Sequence, residues 1–210
     1  MNPVSPVLND QFGRRISYVR LSLTDRCDMR CRYCMAETME FLPRSEILSH
    51  EEIGVLARAF VARGVTRIRL TGGEPLARRG AVDVARDIGQ LLHNGLEELT
   101  LTTNASRLRD HANGLRDAGI ERINISLDTR DPDKFSHVTR LGNLTRVLDG
   151  IAAAKDAGFR IKINMVALNG LNAQEILPML EWCAEQGFDL SLIETMPLGM
   201  IDEDRTDRFL

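Results

Sequence analysis

The sequence predicts an α/β protein built as a partial (βα)6 barrel of the TIM type, with parallel strands inside and helices outside. Two observations favour this fold class. Helical patterns end five times in a glycine followed by an apolar residue and a short strand-like run, and the strands alternate between apolar and polar residues. Glycine suits the left-handed position just past a helix end. These glycines are Gly64, Gly95, Gly119, Gly158 and Gly187.

The glycines recur at intervals typical of one βα unit, and their spacing is too uneven for a solenoid repeat. The predicted strands occupy residues 18–23, 67–71, 99–103, 122–128, 160–166 and 190–194. The predicted helices occupy residues 50–63, 79–93, 106–118, 143–157 and 173–186. Ser49 and Glu52 form a capping box at the start of the first helix. Six strands are fewer than the eight of a closed barrel, so we expect an open side.

The alternation predicts which strand residues face the barrel interior. Successive strand side chains point to opposite faces, and helical crossovers place the helices on the apolar face. The polar set then lines the lumen, and its members include Arg20, Arg69, Thr102, Asp128, Lys162 and Asn164. Positive charges there are costly without an anion, so we infer an anionic ligand; the alternative is that they extend to water at the strand ends. The sixth strand does not alternate clearly, so its inward set stays open.

Length and composition limit the classes of protein to which this chain can belong. A chain of 210 residues with 43% hydrophobic residues predicts one domain over residues 1–210. A net charge of -3 gives no reason to expect a nucleic-acid or anionic-membrane partner. The sequence has no apolar run of membrane-helix length and no apolar segment near its start that resembles a signal peptide. We therefore expect a cytoplasmic protein without membrane attachment.

Three of the four cysteines form a CxxxCxxC motif in the loop after the first strand: Cys27, Cys31 and Cys34. In a reducing compartment such a cluster indicates a metal site rather than disulfides. Three thiolates can bind three irons of a [4Fe-4S] cluster and leave the fourth iron open to another ligand. The alternative is a structural zinc site, whose fourth ligand would have to be His50 or Cys183.

Two motifs together resemble the radical S-adenosylmethionine (SAM) superfamily. Tyr33 precedes the last cysteine of the motif, and the second strand is followed by Gly72, Gly73, Glu74 and a proline. The resemblance implies a barrel of the radical SAM type, in which the amino and carboxylate groups of SAM bind the open iron and the GGEP segment lies along the methionyl end. Glycines allow close backbone approach, and a glutamate can accept hydrogen bonds from an ammonium group.

A closer resemblance, running along nearly the whole chain, is to the GTP 3',8-cyclase family of molybdenum cofactor biosynthesis. The matching segments include RLS, TDRCDMRCRYCM, FLP, RLTGGEPL, LTTN, INISLDT, KIN and IETMP. The resemblance implies SAM contacts at Tyr33, Gly73, Ser126 and Met196, and GTP contacts at Arg20, Arg69, Thr102 and Lys162. All four implied GTP contacts belong to the polar set that the alternation assigns to the lumen.

The implied reaction is the first step of molybdopterin synthesis, the conversion of GTP to (8S)-3',8-cyclo-7,8-dihydroguanosine 5'-triphosphate. A 5'-deoxyadenosyl radical from SAM would remove a hydrogen from the GTP ribose, which then attacks guanine C8. The implied partners are GTP, an electron donor such as a flavodoxin or ferredoxin, and a second copy of the chain in a homodimer. The alternatives are a radical SAM enzyme acting on another substrate such as a peptide, and a non-catalytic iron-sulfur or zinc module.

The sequence departs from the family pattern in three places. Ala105 follows TTN where relatives usually have glycine, and Ser191 stands where some carry arginine. The family also has a second cysteine triad and a Gly-Gly tail, which would follow Leu210. We therefore expect a chain truncated at its C-terminal end, a second [4Fe-4S] cluster only in the full-length protein, and SAM cleavage without GTP cyclisation by these 210 residues.

Overall fold

A computed structural model describes residues 7–195 of the chain. Its six strands form one parallel sheet in which each strand pairs with the next in sequence order. The strands are β1 (Tyr18–Ser22), β2 (Arg67–Thr71), β3 (Glu98–Thr103), β4 (Arg122–Ser126), β5 (Arg160–Ala167) and β6 (Asp189–Glu194). Within residues 7–195 β1 and β6 each have one strand neighbour, so the sheet is open. The predicted α/β class and partial six-unit barrel are confirmed.

Six α-helices connect the strands or follow them in the chain. They are α1 (His50–Ala62), α2 (Ala81–Gly89), α3 (Leu108–Asp117), α4 (Pro132–Thr139), α5 (Leu144–Asp156) and α6 (Ile176–Gln186). Short 3-10 helices cover Arg44–Glu46, Pro75–Ala77 and Ala173–Glu175. The capping box of α1 is present, with Ser49 and Glu52 each bonding the other's backbone N–H.

Two helices differ from the sequence prediction. Helix α4 was not predicted, although Asp131 accepts hydrogen bonds from the first backbone N–H groups of the helix and Pro132 occupies its first turn. Helix α2 is shorter than predicted and ends at Gly89. As a result Gly95 lies in a turn several residues past the helix. All five predicted cap glycines nevertheless adopt positive φ angles.

The apolar strand face forms the core against the helices. Its central residues are almost completely inaccessible: Leu23, Ile68, Leu70, Leu99, Leu101, Ile123, Ile125, Ile161, Ile163 and Met165. The polar face lies on the other side of the sheet, where the registers align Arg20 with Arg69 and Asn124 with Lys162. A parallel sheet with this division has one face for packing and one face for ligands.

The pairing of β6 with β5 shows which β6 side chains lie on the polar face, a point that the sequence left open. Asp189 aligns with Lys162, and Ser191 aligns with Asn164, so both belong to the polar face. Leu192 and Ile193 remain well exposed at the open edge. No helix within residues 7–195 combines the length and the apolar character needed to cross a membrane.

Candidate functional site

The site lies at the carboxyl ends of the strands, where the cysteine loop continues from β1. Backbone pairing between β1 and β2 extends past both strands: the Leu23 N–H donates to Thr71 O at 2.9 Å, Gly73 N–H to Thr24 O at 2.7 Å, and Glu74 N–H to Arg26 O at 2.8 Å. The GGEP segment therefore lies along the beginning of the cysteine loop. The two motifs that the sequence identified form one structural unit.

Steric contacts explain why two glycines occur in this unit. A Cβ atom on Gly72 would lie 2.5 Å from Thr24 O, and one on Gly73 would lie 2.5 Å from Arg26 O. Real Cβ atoms do not approach a backbone oxygen so closely, so a side chain here would push the cysteine loop away. The close approach in this structure is made by the protein's own backbone. Contact of Gly72 and Gly73 with SAM stays a prediction.

The three cysteines share one short, tightly turned loop. Cys34 N–H and Met35 N–H both donate to Cys31 O, at 2.8 and 3.0 Å. The thiols are close enough for each to influence the ionisation of the others. Burial raises the pKa of Cys27 to about 11, and burial raises the pKa of Cys31 further. Such thiols stay protonated at neutral pH unless a bound cation stabilises the thiolates.

The surroundings of the cysteines fit an iron-sulfur cluster. Met29 N–H lies 3.4 Å and the Asn104 side-chain amide 3.9 Å from Cys27 Sγ, and both point donors at the sulfur. Hydrogen bonds to sulfur ligands are one of the means by which proteins tune such clusters. Among residues 7–195 no three His, Cys, Asp or Glu side chains are placed to hold a single metal ion.

The structure places both proposed fourth ligands of the zinc alternative in other contacts. His50 Nε2 lies 2.9 Å from the Asp87 carboxylate, and Cys183 is buried in α6 within the apolar core. The motif therefore offers three protein ligands, which is the number that a [4Fe-4S] cluster with one open iron requires.

The end of α4 supports the cysteine loop. The last carbonyl groups of a helix lack partners within it, and here the loop supplies them. Arg30 N–H donates to Thr139 O at 2.9 Å, Arg32 N–H to Val138 O at 3.0 Å, and Arg32 Nε to His137 O at 2.9 Å. Arg140 follows at a φ of 58°, and its Nη1 donates to Arg30 O and Met35 O at 3.2 and 3.3 Å. The segment that carries Cys31 and Cys34 is thus held at both ends.

Replacing Arg140 with Ala should loosen this loop. The change removes two hydrogen bonds from a charged donor and keeps the unfavourable positive φ, so we expect a loss of about 1 to 2 kcal/mol. That corresponds to a melting temperature lower by roughly 2 to 8 °C for a chain of this size. Calorimetry of the apo chain measures it, with the exposed Arg146→Ala on α5 as control. Equal melting of both variants would show that the Arg140 bonds carry no stability.

Tyr33 is joined to the far side of the barrel. Its hydroxyl donates to Asp128 Oδ2 at 2.7 Å, and Asp128 Oδ1 accepts Val166 N–H at 2.9 Å. Asn172 donates to Asp128 O and Val166 O, which completes the support. Burial raises the pKa of Asp128 to about 6. The sequence placed Asp128 on the polar face but did not identify its contact with Tyr33.

Glu74 is buried and already satisfied by the protein. Oε1 accepts from Leu76 N–H at 3.0 Å and Thr103 Oγ1 at 2.8 Å, and Oε2 accepts from Asn104 N–H at 2.7 Å. The carboxylate therefore ties the loop after β2 to the loop after β3. Burial raises its pKa to about 7, despite these hydrogen bonds, which favour the charged form. Its predicted bond to the SAM ammonium group stays a prediction.

The raised pKa of Glu74 has a consequence for stability. A carboxyl group that binds its proton more tightly when folded stabilises the fold fully below its unfolded pKa of about 4.5 and loses this contribution as the pH rises through about 7. We expect the apo chain to lose up to about 1.4 kcal/mol per pH unit from this group within that window. Urea unfolding from pH 5 to pH 8 measures the slope, and Glu74→Gln should flatten it. An unchanged slope in Glu74→Gln would contradict the assignment.

The predicted GTP residues come together on the polar face. Arg69 Nε lies 3.4 Å from Thr100 Oγ1 and stacks over Tyr18, and burial lowers the pKa of Arg69. Thr102 aligns with Asn124, which aligns with Lys162. Thr102 Oγ1 and Asn124 Oδ1 are buried without a hydrogen-bond partner among the described residues. Buried polar atoms normally have partners, so this part of the lumen fits a polar ligand.

Two further predicted residues have different outcomes. Ser126 aligns with Asn164 on the polar face and is half-buried. Met196 lies outside the described residues. Sequence reasoning also missed a charged pair at the amino end of the same face, where Arg122 Nη2 lies 2.9 Å from Glu98 Oε1. That pair is neutralised within the protein, in contrast to Arg20 and Arg69, which align with each other.

Known proteins match both the sequence and the fold. GTP 3',8-cyclases from Erythrobacter litoralis (strain HTCC2594) and Paracoccus denitrificans (strain Pd 1222) are 60% and 51% identical, over 97% and 100% of this chain. The chain spans 61% of the length of each. Streptococcus suis SuiB bound to S-adenosylmethionine superposes with a TM-score of 0.74 at 18% identity, over 87% of this chain and 41% of that one.

A second solved structure, native anSMEcpe with bound AdoMet, gives a TM-score of 0.70 at 16% identity, over 92% of this chain and 55% of that one. At such identities the likeness shows the fold alone. The family model of the radical SAM superfamily matches residues 21–183, which include the three cysteines, the GGEP segment and the polar face from Arg69 to Lys162. The chain therefore belongs to the radical SAM superfamily.

Proposed function

We propose that this chain supplies the radical SAM portion of a GTP 3',8-cyclase, the enzyme of the first step of molybdenum cofactor biosynthesis. The observation that carries the proposal is the polar face, where cationic side chains lie beside buried polar atoms that have no partner among residues 7–195. These residues are Arg20, Arg69, Lys162, Thr102 and Asn124. A nucleoside triphosphate supplies the negative charge and the acceptors that this face requires. Relatives named GTP 3',8-cyclase along nearly the whole chain support the same conclusion.

In this proposal Cys27, Cys31 and Cys34 hold a [4Fe-4S] cluster with one open iron. The cluster and SAM supply a primary carbon radical when they are bound and reduced. The protein holds the cysteine loop in a fixed position for this chemistry. The bonds from α4 fix the loop of Cys31 and Cys34, and Asn104 directs an amide donor at Cys27. The backbone pairing with the GGEP segment keeps the loop against the sheet.

The carboxyl ends of the strands provide the SAM contacts in this proposal. Gly72, Gly73 and Glu74 border the cysteine loop, Tyr33 lies within it and Ser126 ends β4. The hydroxyl of Tyr33 is held by Asp128, so the ring has a fixed position from which to contact a ligand. Met196 would complete the set in the chain beyond the described residues.

The lumen residues orient GTP toward the SAM contacts. Arg20, Arg69 and Lys162 bind the triphosphate, since planar guanidinium groups match phosphate oxygens in a bidentate way. Thr102 lies nearer the carboxyl end of β3 than Thr100 does, and it donates its hydroxyl to the nucleotide. Holding both reactants in a fixed orientation is the main contribution a protein makes to such a reaction.

The further partners belong to the same proposal. A low-potential donor such as a flavodoxin or ferredoxin delivers the electron, the protein acts in the cytoplasm, and two copies form a homodimer. The family resemblance also implies a second cysteine triad. In the longer relatives it would hold a second [4Fe-4S] cluster against the guanine end of GTP.

The test is anaerobic reconstitution with iron and sulfide, followed by reduction in the presence of SAM and GTP. We expect 5'-deoxyadenosine to form slowly while the cyclised nucleotide stays absent, because the guanine end of GTP is not held and small misplacements cost large factors in rate. Chromatography of the mixture resolves both compounds. Formation of the cyclised nucleotide at the same rate as 5'-deoxyadenosine would contradict this expectation, and absence of both would contradict the proposed function.

A further inference from the structure

A basic cavity lies outside the barrel, next to the cysteine loop. It has a volume of about 490 Å³ and lies between the first turns of α2 and α3. Three of its lining residues carry positive charge: Arg78, Arg79 and Arg107. Neither the proposed SAM contacts nor the proposed GTP contacts use this cavity.

The charge of this cavity is positive although the chain as a whole carries a net charge of -3. Its acidic lining residues are Asp83 and Asp110. Asp83 is already paired, because Arg86 Nη1 lies 2.6 Å from its Oδ1. Arg79 is exposed, so its guanidinium group is available to a partner in solution, whereas the exposed Arg107 already contacts Asp28.

Two arginines connect the cavity directly to the cysteine loop. Arg107 Nε lies 3.3 Å from Asp28 Oδ2, and Asp28 is the residue after Cys27. The same carboxylate accepts hydrogen bonds from Asn104 and Ser106, at 2.8 and 2.7 Å. Arg78 Nη1 donates to Leu23 O at 2.6 Å, just before the loop begins. Arg107 and Arg78 therefore link the lining of the cavity to the segment that carries Cys27.

Two other parts of the cysteine loop contact the protein, although Cys34 itself is exposed. The end of α4 contacts it through Arg30 and Arg32, and Tyr33 points to Asp128 across the barrel. In the proposed function the lumen is filled by SAM and GTP while the electron arrives. An electron donor must therefore approach from outside the barrel, and the basic cavity offers a positively charged surface beside the loop.

We propose that this basic cavity is the docking surface for an acidic one-electron donor protein. The proposal rests on the proposed function, since a cluster must be present to accept the electron. Each transfer oxidises the donor by one electron and reduces the cluster by one electron, and no atom is exchanged. Positive charge around a docking surface raises the association rate of an acidic partner, and salt screens this effect.

The experiment compares two routes of reduction in the reconstituted protein with SAM present. One route uses an acidic flavodoxin kept reduced by its reductase, and the other uses dithionite, a small reductant that needs no docking surface. The variants are Arg79→Glu and Arg107→Gln, the second chosen to avoid repelling Asp28. The matched control is Arg63→Glu, an exposed arginine after the end of α1, at the opposite end of the barrel.

The expected result is a rate of 5'-deoxyadenosine formation with flavodoxin that falls about tenfold in Arg79→Glu at low ionic strength. The difference from wild type should shrink at high salt, while the dithionite rate and the iron content stay at wild-type values. Arg107→Gln should show a smaller loss, and Arg63→Glu none. Equal flavodoxin rates in Arg79→Glu and wild type would overturn the docking surface. No 5'-deoxyadenosine with dithionite in any protein would instead overturn the proposed function.

Discussion

Replacing Cys27, Cys31 or Cys34 individually with serine should reduce the iron content of the reconstituted chain from about four atoms to nearly none. Each cysteine has its own fixed place: Cys27 beside Asn104, and Cys31 and Cys34 in one tight turn. Two remaining thiolates cannot hold the cluster, and the bonds from α4 prevent the loop from rearranging around another ligand. Iron and sulfide analysis after anaerobic reconstitution measures the loss.

Cys183→Ala is the matched control for these variants. Cys183 is buried in α6 within the apolar core, and among residues 7–195 it belongs to no group of three His, Cys, Asp or Glu side chains that could hold a metal ion. The control should keep its full iron content and lose only the small stability that a slightly smaller core residue costs. Loss of iron from Cys183→Ala, or full retention in a single variant of the motif, would show that the cluster is bound elsewhere.

Replacing Arg69 or Lys162 with alanine should weaken GTP binding by roughly ten- to a hundredfold. A charge-assisted contact to phosphate contributes about 1.5 to 3 kcal/mol, which corresponds to that range of affinity. SAM cleavage should change little, because the SAM residues lie at the carboxyl ends of the strands and Arg69 lies lower on β2. Isothermal titration with GTP and the rate of 5'-deoxyadenosine formation are measured on the same preparations.

Arg67→Ala is the control for the GTP variants, since Arg67 lies on the same face of β2 two residues closer to its amino end. It is exposed and stacks on Tyr18, but the proposal gives it no contact with GTP. We expect near wild-type GTP affinity for this variant. If Arg67→Ala lost as much affinity as Arg69→Ala, nonspecific charge rather than a defined phosphate site would explain the binding.

The sequence could predict the sheet because its signals are local. Alternation has a period of two residues, so a single strand such as Arg160–Ala167 shows which of its side chains share a face. The same pattern places Lys162 and Asn164 on one side without reference to how the strands pair. Strand β6 gave no clear answer because Leu192 and Ile193 are both exposed at an open edge. Its inward residues followed only from the pairing with β5.

The supports of the site could not be predicted, because they depend on contacts between distant segments. The hydrogen bond of Tyr33 to Asp128 joins residues 95 positions apart, and no local sequence pattern indicates it. The role of α4 was missed because its eight residues include few apolar positions, although Asp131 and Pro132 are a recognisable helix start. The glycines of the GGEP segment were recognised, but their contact with the backbone of Thr24 and Arg26 required the three-dimensional structure.

The bonds between the cysteine loop and α4 also determine the order in which the site can be assembled during synthesis. The loop emerges from the ribosome early, yet the carbonyl of His137 that Arg32 contacts lies 105 positions later. Asp28 likewise lacks its hydrogen bond from Ser106 until that residue, 78 positions further along the chain, has been synthesised. Nascent chains grow at about 5 to 20 residues per second, so the cysteines spend several seconds without their final surroundings. Iron insertion into a formed site therefore becomes possible only after the first three βα units, β4 and α4 have been translated. Until then the thiols are open to oxidation and to other metals.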